Sequence, residues 1–255
     1  MSEIFAFAGK GGVGKTTISG MLIRYLMEKR TRGALLAVDA DPNANLNEVL
    51  GVESYATIGE AREMMKEAVP VGMTKETWME LKVHESLVES KGFDLLVMGR
   101  PEGQGCYCAA NSLVKKHIDI LKENYRFVVV DNEAGMEHMS RLVTRDVDHL
   151  YVISDGQPRG LTTARRIIDL SEELNLNIAH THLIINRLRP EDRELMAEIV
   201  MDKGLDVAGT VRDDREIVRA DASGKTVFDL GGESSALADA YRIFEKTLLG
   251  TASKG

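Results

Sequence analysis

The residues Gly9-Lys10-Gly11-Gly12-Val13-Gly14-Lys15-Thr16-Thr17 place a glycine, four residues, a second glycine, a lysine and a threonine in succession. That is the spacing of a phosphate-binding loop, and it follows an apolar run, Ile4–Ala8, and precedes a helical pattern. Glycines let backbone N–H groups turn inward as a nest for phosphates beside a helix N-terminus. Lys15 then supplies a point charge for the β- and γ-phosphates, and Thr16 a hydroxyl for Mg²⁺. Gly9, Gly11, Gly12, Val13, Gly14, Lys15, Thr16 and Thr17 are therefore the expected nucleotide-binding residues. Gly9, Gly11 and Gly14 also fit the dinucleotide spacing, with Asp39 as the ribose acid, but that reading leaves Lys15 and Thr16 without a task.

A triphosphate site also needs an acid on the magnesium ion opposite the threonine. Phe127-Val128-Val129-Val130-Asp131, an aliphatic run ending in aspartate, offers one. Alone, such an aspartate is more often a turn or helix-cap residue, so its weight comes from Lys15 and Thr16. The guanine-selective Asn-Lys-x-Asp pattern is absent, since Asn186 is followed by Arg187-Leu188-Arg189. ATP with Mg²⁺ is the expected ligand.

The second chemistry-bearing feature is Cys106-Tyr107-Cys108, which holds both cysteines of the chain. Two sulfurs one residue apart can face one ion, but a closed soft-metal site prefers four ligands. A two-fold dimer would supply four, one pair from each copy. The alternatives at this point are a redox pair or two small residues in a tight loop. His180-Thr-His182 fits a strand better than a metal site.

Such residues need a scaffold that gathers them. Short aliphatic runs recur at Ile4–Ala8, Leu35–Val38, Phe93–Met98, Phe127–Val130, Leu150–Ile153, Leu183–Ile185 and Val207–Val211. Several are continuous rather than alternating, which suits strands covered on both faces. Amphipathic stretches such as Thr16–Lys29, Leu161–Leu174 and Glu191–Lys203 are long enough for crossover helices. The expected fold class is α/β: one domain over residues 1–255, a doubly wound, mostly parallel sheet flanked by helices. A helical insertion is expected at about 58–91, and an irregular loop carrying the cysteines at about 99–111. Ligands of such sheets sit at the carboxyl ends of the strands, where Gly9–Thr17, Asp39–Asn45, Gly99–Cys108, Asp131–Gly135, Ser154–Pro158 and Asn186–Arg187 all fall as candidate site segments.

Composition narrows the class. The 255 residues carry 40 acidic and 32 basic side chains, a net charge of −8, which argues against a protein built to grip nucleic acid. No apolar run approaches the roughly 20 residues that cross a bilayer. Ile4–Ala8 is short, follows an acid and runs into glycines, unlike a signal peptide. A soluble, cytoplasmic protein is the expectation, with neither nucleic acid nor membrane as partner.

Lys10-Gly-Gly-Val-Gly-Lys-Thr-Thr resembles the deviant phosphate loop of the nitrogenase-iron-protein, septum-site and partition ATPase class. The resemblance implies that Lys10 reaches across a homodimer to the partner's nucleotide, like an arginine finger supplied in trans. Asp39-Ala-Asp41-Pro42 resembles the first switch of that class, which implies that Asp41 orients the attacking water and Asp39 helps arrange the magnesium shell. Asp131 to Arg141 and Gly105-Cys-Tyr-Cys-Ala-Ala-Asn111-Ser112 resemble the CooC-type nickel-insertion ATPases, and Asn186 falls where those proteins read adenine. The resemblance runs from Ile4 to about Arg187. It implies a homodimeric, ATP-hydrolysing metallochaperone that loads Ni²⁺ into carbon monoxide dehydrogenase or acetyl-CoA synthase. Cys106 and Cys108 would hold nickel across the dimer, with Zn²⁺ able to occupy the site in vitro.

Two other readings make different demands. An iron–sulfur reductase could bridge a cluster with the same thiolates, although the second switch has no cysteine. A partition or septum-positioning ATPase would be expected to end in a basic amphipathic helix. Ser234–Lys254 instead holds Asp239 and Glu245 and reads as a packing helix.

Overall fold

A strand covered on both faces needs unbroken apolar sequence, and Ile4-Phe-Ala-Phe-Ala forms the centre of β1 (Glu3–Gly9). The computed structural model describes residues 2–29, 33–43, 45–54, 56–67, 69–99, 120–135 and 146–249. Along the chain β1 leads to α1 (Lys15–Lys29), β2 (Leu35–Ala40), α2 (Leu46–Leu50), α3 (Ile58–Glu67) and α4 (Lys75–Glu85). There follow β3 (Val88–Ser90), β4 (Phe93–Val97), β5 (Phe127–Asn132) and β6 (Asp146–Asp155). After these come α5 (Pro158–Glu173), β7 (Asn177–Leu188), α6 (Arg193–Asp202), β8 (Val207–Arg212), α7 (Arg215–Ala222) and α8 (Ser235–Leu249).

These strands form a single eight-stranded sheet in the order β3-β4-β2-β5-β1-β6-β7-β8. Every pairing is parallel except that of β3 with β4. The strand pattern predicts seven of the eight; β3 is a correction, lying inside the stretch expected to be helical to Lys91. Three residues carry too little periodicity to declare a strand. Val88–Ser90 becomes one by folding back on β4 through Lys91-Gly92, where Gly92 takes φ 98°. Elsewhere in the insertion the described residues form the two helices α3 and α4, joined by a turn. Thr57 and Glu60 close a reciprocal cap at the start of α3: the Glu60 N–H donates to Thr57 Oγ1 (3.2 Å) and the Thr57 N–H to Glu60 Oε2 (2.9 Å).

Helices cover both faces. On one, Ile18, Met21, Leu22 and Leu26 of α1 and Leu237, Ile243 and Phe244 of α8 pack on Phe5, Phe7, Val129 and Tyr151. On the other, Ile58, Trp78 and Val83 cover Val38, Leu96 and Val130, while Leu161, Ala164 and Ile167 of α5 cover Ala6, Leu150 and Val152. The two faces take alternate residues of each strand, which is why the strands read as continuous apolar runs. No helix among the described residues is long and apolar enough to cross a membrane. Helix α8 spends its apolar face on this core.

Candidate nucleotide site

The site grows from the carboxyl ends of β1, β2, β5 and β7. On β2 and β5, Ala37 and Val129 face the layer of α1 and α8. Two residues further along, Asp39 and Asp131 face the same way and stand opposite each other in register. Strand alternation therefore delivers both acids to the N-terminus of α1, where Lys15 and Thr16 begin the helix. The Thr16 hydroxyl bonds the Asp131 carboxylate.

The phosphate loop has the backbone its glycines allow. Gly9 takes φ 155°, and a Cβ there would sit 2.3 Å from the Ile153 carbonyl oxygen of the neighbouring strand. Gly14, at φ 90°, comes so close to the Asn186 carboxamide that a Cβ would meet Nδ2 at 2.4 Å. Val13 anchors the loop in the core, whereas Lys10, Gly11 and Gly12 are exposed. Behind the loop, Asn132 Nδ2 donates to the Phe7 carbonyl (3.0 Å) and the Gly135 N–H to the Gly9 carbonyl (3.3 Å).

Charge is concentrated and largely desolvated here. Lys15 is buried, and burial lowers its pKa against the opposing pull of Asp131, Asp41 and Glu133. Burial raises Asp131 to about 7, although the Thr16 hydroxyl and the Lys15 ammonium pull it down. Asp39 is pushed up to about 6 by burial, against backbone hydrogen bonds from Leu46, Asp41 and Asn45. Because Asp39 is 0% exposed, with its two oxygens accepting from the N–H groups of Asp41 (3.1 Å) and Leu46 (2.9 Å), it cannot be a ribose acid. That removes the dinucleotide reading. Asp39 instead ties the loop carrying Asp41 to α2, and Asp41 folds that loop by accepting from Asn43 N (2.8 Å) and Nδ2 (3.1 Å).

One atom tests the fit of a divalent cation. Asp131 Oδ1 is buried without a hydrogen-bond partner, beside the hydroxyl of Thr16. An orphaned carboxylate oxygen next to a hydroxyl at a phosphate nest is the donor set that Mg²⁺-triphosphate requires. Asp131 and Thr16 would hold that ion, which neutralises phosphate charge when bound.

The structure thus brings together Gly9 to Thr17, Asp39, Asp41, Asp131 and Asn186. Cys106 and Cys108 lie outside the described residues, as do Asn111, Ser112 and the switch residues from Met136 to Arg141. His180 and His182 lie on β7 as expected, with His182 Nε2 3.0 Å from His149 Nδ1. Glu133, close enough to act on Lys15, and Arg187, whose Nη1 donates to the Gly12 carbonyl (3.0 Å), lie in the strand-end segments Asp131–Gly135 and Asn186–Arg187, but the sequence assigns neither a role. Glu133 sits in the quoted switch segment and could have been suspected there. Beyond its place at a strand end, nothing in one sequence gives Arg187 a role.

A parallel sheet with a lysine-bearing phosphate nest at its centre and two strand-end acids opposite defines a P-loop nucleoside-triphosphatase. The chain belongs to the family described as the CobQ/CobB/MinD/ParA nucleotide binding domain, which matches residues 4–227. It is 42% identical over 250 residues to an uncharacterized ATP-binding protein of Methanocaldococcus jannaschii, covering 96% of this chain and 98% of that one. To the carbon monoxide dehydrogenase accessory protein CooC of Rhodospirillum rubrum it is 33% identical over 243 residues, 88% of this chain and 89% of that one. To the septum site-determining protein MinD of Bacillus subtilis it is 30% identical over 251 residues, 95% and 87% of the two chains. A solved ParA family ATPase from Chlorobium tepidum shares the fold, with a TM-score of 0.74 at 19% identity over 95% of this chain and 98% of that one. The protein is an ATPase of this class.

Proposed function

We propose that this ATPase works as a homodimer that helps insert nickel into the active-site cluster of a carbon monoxide dehydrogenase or an acetyl-CoA synthase. The observation that carries the proposal is the conjunction of the similarity to CooC with the Cys106-Tyr-Cys108 pair. The comparable similarity to MinD supports the ATPase class, not the cargo.

In this reading Lys15 neutralises the β- and γ-phosphates from within the chain while the exposed Lys10 reaches the partner's nucleotide. Asp41 holds the attacking water, on a loop tethered by Asp39. Asn186 keeps one amide hydrogen on Val13, leaving its other N–H and its oxygen for the adenine edge. Nickel is cargo: two thiolates from each copy meet at the two-fold axis, which provides the four soft ligands one chain lacks.

Metal analysis and nickel titration of anaerobically purified protein, beside Cys108→Ser, test the proposal. One nickel per dimer in the parent, lost in the variant while ATP binding persists, is the expected result. Affinity should fall below neutral pH, because each thiol must shed a proton to become a ligand. Four irons per dimer with broad visible absorbance would instead indicate a reductase. Undiminished nickel binding by Cys108→Ser would remove the cysteines from the site and the metallochaperone with them.

A further inference from the structure

Among the described residues, two that are not glycine take positive φ: Asn175, at 47°, and Arg187, at 54°. Asn175 lies just beyond the end of α5, where asparagine commonly takes this conformation. Arg187 has no such excuse. A Cβ-bearing, long-chain residue in the left-handed region is strained, and it persists only when its surroundings hold it there. The place is the end of β7, where pairing with β8 slips between Ile185 and Leu188. That irregularity turns two consecutive side chains, Asn186 and Arg187, onto the phosphate loop.

Their targets are consecutive too. Asn186 Nδ2 donates to the Val13 carbonyl (2.8 Å), and Arg187 Nη1 to the Gly12 carbonyl (3.0 Å). In a planar trans peptide the C=O of one residue points opposite to the N–H of the next. Holding the Gly12 carbonyl outward therefore aims the Val13 N–H inward, toward the phosphate nest. Asn186 does the same for the Gly14 N–H through the Val13 carbonyl. Gly12 and Gly14, at φ 79° and 90°, are otherwise free to swing these peptides, because glycine imposes little restriction of its own.

We propose that Arg187 is a positioning residue of the nucleotide site: the strained end of β7 holds its guanidinium on the Gly12 carbonyl, which presets the Val13 amide as a phosphate donor. Its role is to keep one N–H of the nest oriented before nucleotide arrives, so the cost of ordering that peptide is not charged to binding. This rests on the ATPase site alone and is independent of any metal cargo.

The test is Mg-ADP binding by isothermal titration to the full-length parent, Arg187→Lys, Arg187→Ala and Arg187→Gly, each with its melting temperature. ADP carries the β-phosphate of the nest and avoids turnover. Losing one aligned donor to a charged phosphate should weaken binding about tenfold in both the alanine and the glycine proteins. Lysine, which can place one donor on the carbonyl, should recover part of the loss. The glycine protein should nevertheless melt about 2–4 °C above the alanine protein, because the left-handed strain is gone. Affinity and stability thus separate, which a merely structural residue would not allow. Unchanged ADP affinity in both variants overturns the proposal. So does affinity that follows melting temperature, with glycine restored toward the parent.

Discussion

Replacing Asp131 by asparagine should make the protein more stable while disabling its magnesium site. Asp131 is 1% exposed, and one of its oxygens has no hydrogen-bond partner. Its carboxyl ionises near 3.8 in an unfolded chain and at about 7 in the folded one, mainly because burial penalises the charge. Between those values the folded state binds the extra proton, so stability falls as pH rises through the window. At about 1.36 kcal/mol per pH unit, the ionised Asp131 costs about 4 kcal/mol above pH 7, and nothing below pH 4. Asparagine mimics the protonated acid in shape and can still accept from the Thr16 hydroxyl. In nucleotide-free protein with chelator present, Asp131→Asn should melt roughly 8 °C or more above the parent at pH 8. The gap should narrow steadily toward pH 5. In the same variant, ATP binding should no longer respond to added Mg²⁺. Thermal melts at several pH values decide the matter. A variant that melts at or below the parent at pH 8 refutes the account of Asp131 as an acid stored at a stability cost for a cation.

Three further outcomes follow from the same geometry. Lys10→Ala should bind ATP but lose on the order of a thousandfold in hydrolysis, whereas Lys15→Ala should weaken binding itself; normal turnover by Lys10→Ala would end the trans mechanism. Gly14→Ala should lose nucleotide binding, because its methyl would stand 2.4 Å from Asn186 Nδ2 at a φ of 90°; wild-type affinity in titrations would refute that contact. His182, lowered to about 4 chiefly by burial and then by His149 and His180, stays neutral while an unfolded imidazole protonates near 6.5. Its contribution is therefore full above pH 6.5 and is lost as pH falls toward 4, opposite in sign to Asp131. Urea unfolding of His182→Gln should accordingly show less loss of stability between pH 7 and 5 than the parent, and equal losses would remove His182 from the titration.

What the amino-acid sequence determined on its own was chemistry held in short, contiguous segments. Gly9 to Thr17 encode a phosphate nest because backbone freedom, charge and hydroxyl lie within one turn of chain. Seven of the eight strands among the described residues were legible because burial on both faces demands aliphatic runs. Asp131 was legible because such a run ends in an acid. The tertiary structure decided whatever depends on neighbours distant in the chain. The three residues of β3 become a strand only against β4. Asp39 could be a ribose acid or a switch residue until burial and its hydrogen bonds to Asp41 and Leu46 excluded the ribose. Asp39 and Asp131, 92 positions apart, become neighbours only through the register of β2 and β5. Arg187 is only a strand-end residue by sequence, since a backbone dihedral and a bond to a carbonyl 175 residues away leave no local pattern that would give it a role. A side chain's type is written locally, but its conformation and environment are set by the sheet that gathers the strand ends.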